Sequence, residues 1–277
     1  MSANASDAST QTGGELPGYS SLSQRPLHVL FFLLPPVVLY EVFQPIYGDL
    51  GDGAGARDII ARGYIHEFFD LLGLPAQHVP MLLLVAVLLI WHLRRRDPVA
   101  FSPRLYGLMW AESLLWTVPL LLFALVWSRF ALGPPAAGGG PAGADEAQII
   151  HIPALARSLL DGEVAWQTRL VLDIGAGLYE ELFFRLIGIT LLHLLLVDYL
   201  GMKDASGTVA ALFATSAAFS LYHFGPDNPI TPGAFAFYMA MGLLLGLIFV
   251  ARGFGIVAAV HMLYDMAESA LRMWQGP

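Results

Sequence analysis

Of 277 residues, 13% are Asp, Glu, Lys or Arg and 56% are hydrophobic, with a mean hydropathy of +0.62; ordinary soluble domains carry ~25% charge, so the bilayer is read as this chain's solvent. The absence of cysteine excludes a thiol nucleophile, disulfides and cysteine-ligated zinc, leaving His, Asp and Glu for site chemistry. A net charge of −8 excludes nucleic acid as a partner, because such a partner needs a basic stripe to displace its counterions.

Residues 1–25 are small and polar, without a basic segment leading into an apolar one, and are expected to be a disordered tail rather than a cleaved signal. From Pro26 to Tyr47 the chain is apolar enough to span, since about 20 residues cross ~30 Å, and Pro35-Pro36 predicts a kink. Residues 48–78 mix acids and arginines with Ile59-Ile60 and Phe68-Phe69, the pattern of an amphipathic interfacial helix. A second span over about 79–93 runs into Arg94-Arg95-Arg96, which predicts a cytoplasmic end there. A third covers about 105–130 and is followed by an Ala/Gly/Pro-rich linker at 131–144 and a second amphipathic segment at 146–165.

The stretch 166–200 is apolar but carries Asp173, Glu180, Glu181, Arg185 and His193, so it is expected to be one span plus a re-entrant or interfacial helix, or two short spans. Three further spans are expected at about 207–223, 233–251 and 254–274. The fold class is therefore all-α, a polytopic membrane bundle of seven or eight transmembrane helices. Its expected parts are the tail 1–25, an N-terminal helical region 26–165 and a core 166–274.

An ionisable side chain at bilayer depth costs roughly 2.5–3.5 kcal/mol on insertion scales, so each one is by default a functional hypothesis. In Gly177-Leu178-Tyr179-Glu180-Glu181-Leu182-Phe183-Phe184-Arg185, Glu181 and Arg185 share a helix face, whereas Glu180 should project about 100° away and stay unpaired. Farther on, Phe219-Ser220-Leu221-Tyr222-His223 ends an apolar helix on a histidine. His261 and Asp265, four residues apart in the last span, suit a carboxylate-oriented imidazole, two metal ligands or a simple intrahelical bond. Glu41, Glu112 and Asp173 are expected to serve packing or hydration.

Taken in order, Glu-Glu-x-x-x-Arg, Phe-x-x-x-His and His-x-x-x-Asp on successive apolar helices resemble the CPBP family of intramembrane proteases, which includes CaaX prenyl proteases and bacteriocin-processing enzymes. The match covers about residues 166–270 at Glu180, Glu181, Arg185, Phe219, His223, His261 and Asp265, the last standing where many members have Asn. The resemblance implies a conical intramembrane active-site cavity and an endopeptidase acting on a membrane-associated protein or peptide, with lipid as the other partner. It implies that Glu180 activates water together with His223, and that His261, oriented by Asp265, stabilises the oxyanion. Glu181 and Arg185 are then a supporting pair.

The metal-free mechanism is preferred, because a zinc ion held by Glu180, His223, His261 and Asp265 would take up the evident base. Two other functions fit the residues, a non-catalytic scaffold or chaperone of the same fold and a proton-coupled transporter. The first lacks a reason for an intact motif triplet, and the second lacks inverted repeats. The Arg-rich, Lys-poor, Ala/Gly-rich composition predicts a bacterial inner (cell) membrane.

Overall fold

The computed structural model describes residues 18–48, 71, 78–98, 101–131, 166–225 and 229–275. Most of the polar tail, both amphipathic segments at 48–78 and 146–165, and the Ala/Gly/Pro-rich linker lie outside the described residues.

Within them the chain is all-helical. A short α1 (Tyr19–Ser23) precedes α2 (Pro26–Phe43), which closes in a wider π-type turn over Gln44–Gly48. Then come α3 (Val79–Arg95), α4 (Pro103–Ala131), α5 (Trp166–Tyr199), α6 (Asp204–Tyr222), α7 (Pro232–Arg252) and α8 (Phe254–Gln275). Six of these are long and apolar enough to cross a membrane. That is one fewer than the smaller of the two expected counts, because α3, expected as a span, has only 17 residues.

The ends follow local chemistry. Pro26, Pro103 and Pro232 each stand at the first helical position, where their missing N–H leaves no bond unmade. The Thr231 side chain caps α7 by accepting from the Ala234 N–H. Gly253, at φ 80°, reverses the chain between α7 and α8 in a single residue.

Two expectations are corrected. Residues 19–23, assigned above to the tail, form the helix α1, because Ser20 and Ser23 are tied to Arg252 and Tyr19 to Glu112. The stretch 166–200 is neither a span with a re-entrant helix nor two short spans. It is one continuous helix of 34 residues, about 50 Å long, with π-type turns at Glu181–Ile189 and Leu194–Tyr199. Its charges do not break it, because residues of other helices receive them.

Lateral contacts fix the sidedness. Arg25 lies 3.8 Å from Asp97 and Gln24 donates to the Ala251 carbonyl, so the start of α2, the α3–α4 connection and the α7–α8 junction share one end. Thr168 donates to the Tyr47 carbonyl, His78 pairs with Glu41, and Ser269 donates to Asp173, which gathers the opposite ends. Consecutive spans therefore alternate in direction, and α6 and α8 run parallel.

The core lies around α8, packed between α4 and α5, where Ile256, Val257, Ala258, Ala259 and Val260 are fully enclosed. Outward faces of α2, α3 and α4 instead expose Val38, Leu82, Leu83, Leu115 and Leu122, as lipid-facing helices do. At Gly177 an added Cβ would meet the Met262 backbone N at 2.6 Å, so α5 and α8 approach at backbone distance just above the charged motif.

Candidate active site

His223 lies at the far end of α6 while His261 is only seven residues into the parallel α8, an offset that simple antiparallel packing would leave unmatched. The α7–α8 junction removes it by sitting deep. Arg252 reaches Glu112, nine residues beyond the start of α4 and so about 13 Å along it. There the guanidinium is bonded through Nη2 to Glu112 Oε2 at 2.8 Å and through its Nε to Oε1, and through Nη1 and Nη2 to the Ser20 and Ser23 hydroxyls at 2.5 and 3.0 Å. Tyr19 and Trp116 complete the ring of donors around Glu112. Beginning at this depth, α8 lifts His261 to the level of Glu180.

The motif on α5 meets α8 there. Glu180, Glu181, Arg185 and His261 are all buried, Glu181 completely. Glu181 lies between a guanidinium and an imidazole: its Oε2 is 3.2 Å from Arg185 Nε and its Oε1 is 2.8 Å from His261 Nδ1. A carboxylate only accepts, so Nδ1 carries the hydrogen and the imidazole is held with Nε2 turned away from Glu181. That nitrogen faces Asp265 Oδ2 at 3.4 Å and Glu180 Oε2 at 3.9 Å.

The expected pairing of Glu181 with Arg185 is therefore present, but Glu180 does not face away. Both adjacent carboxylates address the same imidazole, one at each nitrogen, because His261 comes in from α8 between them and the wider turn of α5 begins at Glu181. The ring is likewise oriented chiefly by Glu181 through the shorter bond, with Asp265 on the opposite nitrogen. The 3.9 Å between Glu180 and His261 lies well within the ~8 Å that a shared site allows.

Arg185 also donates to the Gly242 carbonyl at 3.3 Å and lies over the Phe219 ring at 4.4 Å. Phe219 of the second motif thus separates the guanidinium from the two histidines, its ring centroid 4.6 Å from His223 and 6.1 Å from His261. His223 donates Nδ1–H to the Phe219 carbonyl at 2.7 Å, which leaves Nε2 as the acceptor of its neutral form. Its ring stacks on Tyr238 at 4.1 Å.

Two participants were missed in the motif reading. Tyr222 donates its hydroxyl to Glu180 Oε1 at 3.3 Å, and Tyr238 supplies the stacking face for His223. The first had a signal in the sequence, a polar hydroxyl beside the motif histidine; Tyr238 had none.

His261 Nδ1 is engaged by Glu181 and His223 Nδ1 by a carbonyl, which leaves the two Nε2 atoms as the nitrogens a metal would call on. Among the described residues no group of three His, Asp or Glu side chains is gathered as a metal requires. These residue types suit zinc, but as placed the side chains do not surround a common point.

Residues 163–267 match the family model described as Rce1-like, type II CAAX prenyl endopeptidase. This segment is similar to that family. The matched range contains all three motifs of the CAAX-type core, and its limits agree with the 166–270 expected from them. Comparison with curated proteins and with solved structures gives no match. The CAAX-type resemblance and the membrane-length helices together make the chain a multi-pass membrane protein with a protease-family core.

Proposed function

We propose that this chain is an intramembrane endopeptidase that cleaves a membrane-associated protein or peptide precursor with water activated by Glu180. The observation that carries this reading is the convergence of Glu180 and Glu181 on opposite nitrogens of His261, inside a bundle where lone charges are costly.

In the proposed reaction the substrate enters a cavity between the helices, with its scissile carbonyl beside His261. Glu180 takes a proton from water as the water oxygen bonds to the carbonyl carbon. His223, with Nε2 as acceptor, helps hold that water. Negative charge grows on the carbonyl oxygen and is met by His261 Nε2–H, the second proton of a ring whose first is already given to Glu181. Asp265, 3.4 Å away, keeps Nε2 in place. As the tetrahedral intermediate collapses, Glu180 returns the proton to the leaving nitrogen, the C–N bond breaks, and a carboxylate and an amine depart. Arg185 neutralises Glu181 so that the pair fixes the imidazole without acting as a second base.

The low-lysine composition supports a bacterial cell membrane as the setting. The test is to compare protein termini in cells carrying wild-type or Glu180→Ala protein. New C- or N-termini should occur only with the wild type, with uncut precursors accumulating in the variant. Unchanged processing by Glu180→Ala would falsify the proposal.

A further inference from the structure

The two oxygens of Glu180 have different partners. Oε2 faces His261 Nε2 at 3.9 Å, while Oε1 accepts the Tyr222 hydroxyl at 3.3 Å. Tyr222 is the last residue of α6 and adjoins His223. Its ring meets Phe184 edge-on at 5.3 Å and His223 at 5.2 Å, so residues of α5 and α6 hold the phenol from two sides. Phe184 in turn packs edge-on against Phe219 at 5.4 Å, which carries the Arg185 guanidinium. The hydroxyl is thus placed by a braced aromatic group rather than by a mobile side chain.

A glutamate has rotatable bonds between backbone and carboxylate, and a single donor on one oxygen removes the torsion that would swing the other out of reach. The geometry points to Tyr222 as a positioning residue that holds Oε1 of Glu180 and thereby makes Oε2 the basic atom. This rests on the reading of Glu180 as the base. In the hydrolytic step Oε2 takes the water proton while Oε1 keeps its bond to the phenol, and the phenol proton stays on Tyr222 throughout. Once the proton has passed to the leaving nitrogen, the carboxylate is restored in the same orientation. A 1 Å misplacement of a catalytic group can cost about 10²-fold in rate, which sets the scale of the effect.

The experiment uses the purified full chain in lipid nanodiscs, as wild type, Tyr222→Phe and Glu180→Ala, with a farnesylated, internally quenched CAAX peptide as probe. The Phe variant keeps the ring and its contacts and loses only the hydroxyl. Its kcat should fall by about ten- to a hundredfold with KM within about twofold, the split expected when positioning rather than binding is lost. A kcat within twofold of wild type overturns the inference.

A second readout needs no turnover. Infrared difference spectra of protein labelled with ¹³C-carboxyl glutamate identify the Glu180 band by its loss in Glu180→Gln, and that band should shift in Tyr222→Phe. An unmoved band overturns the inference whether or not the probe is cut. Activity retained by Glu180→Ala sinks the proposed function, whereas an inactive Glu180→Ala beside an unaffected Tyr222→Phe sinks only the role given to Tyr222.

Discussion

Glu181 holds His261: its Oε1 lies 2.8 Å from Nδ1 of the imidazole, and its other oxygen lies 3.2 Å from Arg185. One fully buried carboxylate therefore serves a buried guanidinium and a buried imidazole, and its removal strands both. Breaking a buried ion pair from one side costs about 3–5 kcal/mol, whereas replacing both partners with apolar groups is often neutral. Glu181→Ala should lose most of its folded yield and unfold many degrees lower in detergent. Glu181→Leu combined with Arg185→Leu should recover much of the thermal stability yet remain inactive, since His261 still lacks its Nδ1 partner. Recovery of activity in the double variant would show that Glu181 acts only through Arg185.

Arg252 and Glu112 set the depth at which α8 begins, and through it the level of His261. The pair is mostly enclosed and joined by Tyr19, whose phenol is pushed up to about 12 by burial and by the neighbouring Glu112 carboxylate. Tyr19 thus keeps its proton and goes on donating to Glu112 throughout the physiological range. Glu112→Gln should lower stability by about 3 kcal/mol, and kcat of the folded fraction should fall as α8 relaxes toward the surface. The interchange Arg252→Glu with Glu112→Arg should restore part of both. Thermal unfolding in detergent and active-site-normalised turnover measure the two effects; an interchange no better than the single variants would refute the depth-setting role.

Helix limits were legible because each apolar run ends on local chemistry that a single chain displays, such as Pro103 at the start of α4 or Gly253 after α7. The 34-residue α5 was not, because the features that seemed to interrupt it are satisfied from elsewhere: Asp173 by Ser269, Glu181 by His261 and Arg185 by the Gly242 carbonyl. The three motifs could be assembled because their residue types and order persist in the sequence. The resemblance implied that Glu180 and His261 share a site, but spacing alone could not show it, since a regular helical wheel turns neighbouring residues about 100° apart and says nothing of what arrives between them. The Arg252–Glu112 pair was equally hidden, its partners standing 140 residues apart.

Gly177 lets α5 and α8 touch beside the site. A Cβ there would lie 2.3 Å from the Met262 side chain, 2.6 Å from the Met262 N and 3.0 Å from the Ala258 carbonyl, and the backbone atoms cannot yield. Gly177→Ala should cost about 1–3 kcal/mol and lower turnover by moving His261, the neighbour of Met262, away from Glu180. Gly246→Ala is the comparison, because its clash is with the movable tip of Leu212 at 2.2 Å, and Gly107→Ala meets nothing within 4 Å. The first should be milder than Gly177→Ala. The second should be neutral or stabilising by up to about 1 kcal/mol from helix propensity. Equal losses at all three positions, in melting curves and turnover, would remove the argument for a close helix contact.

Metal removal separates the glutamate mechanism from a zinc one. With Nδ1 of His261 and of His223 engaged, a metal would have to be held by the two Nε2 atoms with Glu180 and Asp265, yet these carboxylates face His261 Nε2 itself, across 3.9 and 3.4 Å. Enzyme dialysed against EDTA and then 1,10-phenanthroline should keep its activity within about twofold. A zinc ligand loses affinity when an anionic carboxylate becomes a neutral amide, but an orienting residue can still present an oxygen. Asp265→Asn should therefore retain about a tenth or more of wild-type kcat, and Asp265→Ala distinctly less, with the same values in chelator and in added zinc. Complete loss on chelation, restored by zinc and abolished by Asp265→Asn, would assign these side chains to a metal and remove Glu180 as the free base.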